Sequence, residues 1–269
     1  MDPVILAIEE CDFVNEPICS PEDVTELFVL PNIGNSPINR TVILTVLAML
    51  IVIAALYFAY RKPNLIRSKF QTMVDAITGF VRDDIAIGTI GPEGIKYFPY
   101  LLSIFLFILV GNLFEITPFI NFPITGRMAI PGFLALVTYL LFIIVGFAKN
   151  GFRYLGDILW PRSVPIAMRW LVGLIEFISY FFIRPVSLAV RLFANLVAGH
   201  VMLSVLLVSG LVFLVNIPEI PVKGLLFGVI WFALGLAIFV FELLVSVLQA
   251  YIFTLLSAVY IQSSVHPEH

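Results

Sequence analysis

The sequence predicts an all-α polytopic membrane protein with about five membrane helices and one interfacial amphipathic helix. The last two membrane helices are expected to form a long, strongly tilted hairpin. The chain of 269 residues is 61% hydrophobic and only 12% charged, which is about half the charged fraction of a soluble domain. Its apolar residues also fall in runs long enough to cross a bilayer, which takes about 20 residues per helix.

Residues 1–40 form an acidic leader, with eight Asp and Glu and no Lys or Arg before Arg40. Because a secretory signal peptide begins with a basic region, we expect no cleavage here. An acidic segment is readily left outside the membrane, which suits a first helix that enters with its N-terminus outside. Cys11 and Cys19 both lie in this leader, where a disulfide is allowed but not required, and two free thiols are the favoured alternative.

The first membrane helix is predicted over 41–60, an uncharged run that ends at Arg61. Residues 63–85 differ, because apolar side chains recur there at helical spacing with charged ones between them. This pattern is typical of an amphipathic helix in the membrane interface, although packing against another subunit would produce it too. Residues 96–148 are then predicted to form a membrane helical hairpin.

Residues 170–262 are predicted to form the long tilted hairpin, with its turn at 216–223. Its first arm is apolar for about 45 residues and would measure about 68 Å as one helix. The hydrocarbon core of a bilayer is only about 30 Å thick. The arm must therefore break at Pro185 or cross the membrane at a strong tilt.

The basic residues predict the orientation of the chain. If the segments after the first and third helices are cytoplasmic, ten Lys and Arg lie on that side and three on the other. Cytoplasmic loops carry the excess of basic residues in membrane proteins. The N-terminus is therefore expected outside and the C-terminus in the cytoplasm.

The hairpin carries Arg191, Asn195 and His200 on its first arm, and Glu242 and Gln249 on its second. An arginine at the centre of a membrane helix costs about 2.5–3.5 kcal/mol on insertion scales. In antiparallel helices, residues at equal distances from the turn lie opposite each other. Arg191 is therefore expected level with Gln249, and His200 level with Glu242, roughly 10–13 Å nearer the outside.

These residue types point to proton transfer. Arg keeps its charge at any working pH, whereas His and Glu exchange protons. The pattern predicts a water-accessible proton path from outside that ends at a fixed positive charge. Simpler interpretations remain: Arg191 reaching an interface, His200 and Glu242 forming a purely structural pair, or Gln249 making an ordinary interhelical hydrogen bond.

The motifs of several other functional classes are absent from the sequence. It has no Cys/His metal spacing, no glycine-rich phosphate loop and no nucleophile elbow. We therefore expect no catalysis by the chain alone, no metal, no cofactor and no nucleic-acid partner.

Three segments resemble one family, subunit a of the rotary F-type ATP synthase. RPVSLAVRLFANLVAGH at Arg184–His200 closely resembles its signature. LQAYIFTLL at Leu248–Leu256 matches the motif of its last helix, and GNLFEITP at Gly111–Pro118 resembles an earlier membrane helix. The order of elements agrees over nearly the whole chain.

The resemblance implies a role for each polar residue of the hairpin. Arg191 matches the arginine that faces a ring of c subunits and keeps two proton half-channels from short-circuiting. Asn195 and Gln249 match the polar residues beside it. His200 and Glu242 match positions that line the inlet half-channel.

The resemblance extends to three further candidate residues. Asn112 and Glu115 match polar residues of the earlier helix on the inlet path. Glu176 departs from the pattern, because it lies nine residues before Pro185 where many members have their glutamate eight before the proline.

The resemblance also implies partners and a location. The partners would be the c-subunit ring, b-type peripheral stalk subunits, membrane lipid and transported H⁺. The location would be an energy-transducing membrane, most simply a bacterial plasma membrane. A Na⁺-coupled version stays open, as does a stand-alone ion transporter, although the internal repeats typical of such transporters are not found.

Overall fold

The computed structural model describes residues 40–61, 68–117, 124–151, 154, 156, 159–160, 165–215 and 221–265. The acidic leader, both cysteines and 216–220 of the predicted turn lie outside the described residues. Within the described ranges the chain is helical and has no strand. Five of these helical runs are long and apolar enough to cross a membrane: Thr41–Tyr60, Phe98–Ile116, Ala129–Asn150, Met168–Val215 and Gly224–Val265. The predicted fold class is confirmed.

Seven α-helices are labelled here in chain order: α1 (Arg40–Tyr60), α2 (Lys69–Phe80), α3 (Phe98–Ile116), α4 (Ala129–Asn150), α5 (Ile166–Ile178), α6 (Arg184–Val215) and α7 (Pro221–Val265). Two π-helical segments, Val81–Ile90 and Ser179–Ile183, continue α2 and α5 respectively. Short 3₁₀ turns at Pro92–Lys96 and Ile124–Gly126 precede α3 and α4.

The amphipathic segment begins at a well-formed helix cap. Ser68 accepts a hydrogen bond from the backbone N–H of Gln71, whose side chain accepts one from the N–H of Ser68, so two donors of the first turn are satisfied. The segment buries apolar residues such as Val74 and exposes Arg82, which pairs with Asp83 at 2.8 Å. It ends at Gly91, whose φ of +90° few other residues adopt.

The first arm of the long hairpin stays helical through Pro185. Proline has no N–H and its ring crowds the preceding turn, so a regular helix cannot continue unchanged at this position. The chain instead becomes π-helical over Ser179–Ile183, and the N–H of Arg184 donates to the carbonyl of Ser179. The helix therefore does not break at Pro185, and the strong tilt expected of an unbroken arm stays a prediction.

The packing divides the chain into two compact units. The first contains Gly111–Gly126, Ala194–Val247 and the start of α1; the second contains Ala48–Val110, Arg127–Phe193 and Leu248–His269. Each unit contributes one group of the polar residues that the sequence singles out.

Candidate functional site

Three ionisable side chains meet in the first unit and are called here the carboxylate–histidine cluster: Glu115 of α3, His200 of α6 and Glu242 of α7. Their residues are 1%, 4% and 5% exposed. His200 Nδ1 lies 3.7 Å from Glu115 Oε1. Burial of two carboxyl groups beside one imidazole is costly unless protons are shared or exchanged among them, so the cluster is suited to proton transfer.

Gly199 makes room for the Glu242 carboxyl group. A Cβ built on Gly199 would overlap the carboxyl carbon and both carboxyl oxygens of Glu242. Farther along the same helix pair, Gly210 packs against the backbone of Phe232. These contacts place residues 199 and 200 of α6 beside residue 242 of α7.

Asn112 links α3 to α7 within the first unit. Its side chain is fully buried, and its Nδ2 donates to the carbonyl of Ser246 at 3.5 Å. Thr125, also fully buried, donates to Asn112 Oδ1 at 2.8 Å. The Thr125 hydroxyl thereby fixes the orientation of the Asn112 amide, with its NH₂ group toward α7.

Several polar atoms near the cluster are buried with no hydrogen-bond partner among the described residues. They are both carboxyl oxygens of Glu115, Oε2 of Glu242 and the hydroxyl of Ser246. Buried polar groups are almost always paired in native proteins, with water where protein groups do not reach them. These carboxyl and hydroxyl groups are therefore suited to exchange protons with one another or with water.

Asn195 also belongs to the first unit, one helical turn before Gly199 on α6. Its side chain is half-buried. The contacts of the described residues do not join it to the carboxylate–histidine cluster by a hydrogen bond.

The second unit contains Arg191, Gln249 and Glu176. Arg191 is exposed on α6, next to Val190, which shares an exposed apolar face with Val186. Gln249 is 8% exposed on α7, and Glu176 is half-buried on α5. No described residue forms an ion pair with Arg191, and no hydrogen bond joins it to Gln249. A permanent charge on an exposed apolar helix face is costly in a membrane unless another group or water compensates it.

Sequence reasoning missed two buried residues beside the cluster, Thr125 and Ser246. Ser246 had a usable signal, since it lies between Glu242 and Gln249 at helical spacing and so shares their face. Thr125 had none, because one threonine in a short connection is too common to single out. Among the described residues, no group of three or more His, Cys, Asp or Glu could hold a metal ion.

Comparisons with known proteins identify the family of the chain. The family model described as "ATP synthase A chain" matches residues 42–262. ATP synthase subunit a of Frankia alni is 38% identical over 239 residues, which cover 87% of this chain and 80% of that protein. ATP synthase subunit a of Bradyrhizobium diazoefficiens is 35% identical over 247 residues, 92% of this chain and 96% of that protein.

A third relative matches over a similar share of the chain. ATP synthase subunit a of Pseudarthrobacter chlorophenolicus is 36% identical over 253 residues, 93% of this chain and 94% of that protein. The matched region contains all eight candidate residues, from Asn112 to Gln249. The chain belongs to the ATP synthase A chain family.

Proposed function

We propose that this chain is the proton-channel subunit of a rotary ATP synthase and that Arg191 separates its two half-channels. It is a non-catalytic membrane subunit of that complex. The observation that carries the proposal is the exposed, unpaired position of Arg191 on an apolar helix face. That position suits contact with carboxylates on a ring of c subunits.

The carboxylate–histidine cluster forms the inlet half-channel. A proton from outside passes between Glu115, His200 and Glu242 and neutralises a ring carboxylate. The amide of Asn112 borders this path. The burial of these residues and the distance of 3.7 Å between His200 Nδ1 and Glu115 Oε1 support the assignment.

The charge of each ring carboxylate determines whether it can rotate into lipid. A neutralised ring carboxylate can rotate into lipid, where an ionised one would be far more costly. A carboxylate that has lost its proton to the outlet half-channel meets Arg191, whose charge is permanent. The ring can therefore turn while a proton cannot pass directly, and each charge moved gains about 2.3 kcal/mol per 100 mV.

The remaining candidates complete the proton path. Asn195 and Gln249 are polar residues that flank Arg191 along the ring-facing helices, and Glu176 lines the path on α5. The partners are the c-subunit ring and b-type peripheral stalk subunits. The chain is a membrane protein, which we place in a bacterial plasma membrane with its N-terminus outside and its C-terminus in the cytoplasm.

The test is Arg191→Ala, assembled with the other ATP synthase subunits and reconstituted in vesicles. We expect normal assembly, loss of proton-driven ATP synthesis and a proton leak through the membrane sector. Arg82→Ala is the matched control, because Arg82 is an exposed arginine outside the membrane helices that pairs with Asp83. Arg82→Ala should synthesise ATP at the wild-type rate. Coupled synthesis by Arg191→Ala would overturn the proposal.

A further inference from the structure

A second arginine of α6, Arg184, lies in an aromatic and polar environment of the second unit. Its guanidinium carbon is 3.5 Å from the centre of the Tyr180 ring and 5.2 Å from the centre of the Tyr260 ring. Its Nη1 donates to the hydroxyl oxygen of Ser263 at 3.0 Å. These four residues are called here the arginine clamp.

The Ser263 hydroxyl uses its whole hydrogen-bonding capacity in the clamp. It donates to the carbonyl of Tyr260 at 2.9 Å and accepts from both Arg184 and the Tyr180 hydroxyl, each at 3.0 Å. A hydroxyl has one donor and two acceptor lone pairs, and all three are engaged. The geometry therefore specifies one alignment of α7 against the start of α6.

Residues next to the clamp also hold the end of α7. Asn150 Nδ2 donates to the carbonyl of Ser264 at 3.0 Å, and the Tyr154 hydroxyl bonds the Ser264 hydroxyl at 2.9 Å. Tyr154 packs against Gly146, where a Cβ would overlap its ring. The last turns of α7 are thus tied to α4 and to the residues that follow it.

Such contacts matter because α6 and α7 are otherwise largely apolar. In a membrane, lipid competes with helix packing, and polar contacts do much to select one arrangement of helices. A slip by one helical turn would displace α7 by about 5.4 Å. Arg184 lies two turns before Arg191 on α6, and Ser263 lies four turns after Gln249 on α7.

We propose that Arg184 is a positioning residue that fixes the register of α7 along α6 and so keeps Gln249 at the depth of Arg191. This inference rests on the proposed function of Arg191. In this role Arg184 does not contact the residues of the proton path. It affects the coupling of proton flow to ATP synthesis by positioning α7.

The test is Arg184→Lys in the assembled complex in vesicles. Lysine keeps the charge but loses the planar group that stacks on Tyr180 while bonding Ser263. We expect proton leak per assembled complex to rise by about fivefold, the shift that loss of a partly buried cation–π contact gives a two-state equilibrium. ATP made per proton consumed should fall accordingly.

Two matched pairs separate the clamp from general packing. Tyr180→Phe keeps the ring face under Arg184 and should stay coupled, whereas Tyr180→Leu should leak. Ser263→Thr keeps the hydroxyl and should stay coupled, whereas Ser263→Ala should leak. A role in folding alone would lower the amount of complex without changing ATP per proton, so that result would overturn the inference.

The two proposals fail in different ways. Coupled Arg191→Ala overturns the proposed function, whatever Arg184→Lys does. A leaky Arg191→Ala together with a fully coupled Arg184→Lys overturns only the positioning role. If Arg184→Lys does not assemble, equal ATP per proton in Ser263→Ala and Ser263→Thr overturns that role.

Discussion

At the scale of single residues, the candidate proton path depends on the lack of a side chain at Gly199 as much as on the charged residues. Glu242 lies in the space that a side chain at position 199 would fill. Its carboxyl group is therefore held close to the α6 backbone, next to His200. The size of residue 199 controls the place of a titratable group.

We expect Gly199→Ala to slow proton uptake. The added methyl would overlap the Glu242 carboxyl group, and overpacking of a buried site costs about 1–3 kcal/mol. Because about 1.4 kcal/mol is a factor of ten, ATP synthesis in vesicles should fall by about tenfold with normal assembly. Gly235→Ala is the control, since its Cβ overlaps the Leu207 side chain instead of a titratable group, and it should leave ATP synthesis per assembled complex unchanged. Wild-type synthesis by Gly199→Ala would contradict this reading.

The limits of sequence reasoning are also clearest for single residues. Arg191 could be found because a charge in an apolar helix is costly and rare. The approach of His200 to Glu115 could not be derived from spacing, because the two lie on helices far apart in the chain. Only the family resemblance placed Glu115 near the path, and nothing in the sequence indicated that Thr125 orients Asn112.

At the scale of helices, α6 and α7 approach closely where glycine faces backbone. A Cβ on Gly210 would press on the backbone nitrogen and Cα of Phe232, neither of which can rotate away. This contact is one of the closest points of the helix pair. It helps to hold the pair that carries His200 and Glu242.

We expect Gly210→Ala to lower the thermal stability of the purified complex. The clash is with backbone, so the helices must separate locally, at a cost of about 1–3 kcal/mol. Gly132→Ala on α4 is the control, because no atom lies within 4 Å of its added Cβ. It should be neutral or slightly stabilising, since Ala is a better helix former than Gly. Equal unfolding temperatures for the two variants would contradict the expected clash.

The π-helical segment before Pro185 shows why the helix was only partly predictable. The apolar run and the proline were visible in the sequence, but both a break and a continuous helix were compatible with them. The observed segment, Ser179–Ile183, lies between Glu176 and Pro185. A π turn contains one residue more than an α turn, so the segment accommodates the proline without ending the helix.

At the scale of the whole molecule, the membrane is the expected cover for most of the apolar surface. In α1 and in the α7 span, only 17% of the most apolar 18-residue stretch is buried by the rest of the chain. Long apolar runs made the five spans predictable, because length and hydropathy alone define them. The division into two packed units was not predictable, since it depends on contacts between distant segments.

Labelling of single cysteines tests the proposed orientation. Ile95 and Met128 are exposed and lie at opposite ends of the segment that contains α3. We expect a membrane-impermeant thiol reagent to label Ile95→Cys only from the cytoplasmic face and Met128→Cys only from outside. A background without Cys11 and Cys19 keeps the signal specific. Labelling of both sites from the same face would refute the orientation.

The uneven burial of the spans has a consequence for biosynthesis. A chain is synthesised from its N-terminus. Because little of α1 is buried by other helices, α1 can enter the bilayer as soon as it is synthesised. In α3, which carries Glu115, 56% of the most apolar 18-residue stretch is buried by other parts of the chain. The helices that bring His200 and Glu242 are translated later. Glu115 therefore reaches the membrane before His200 and Glu242. If α3 inserts with Glu115 as the neutral acid, the cost of placing an ionised carboxylate in lipid is avoided.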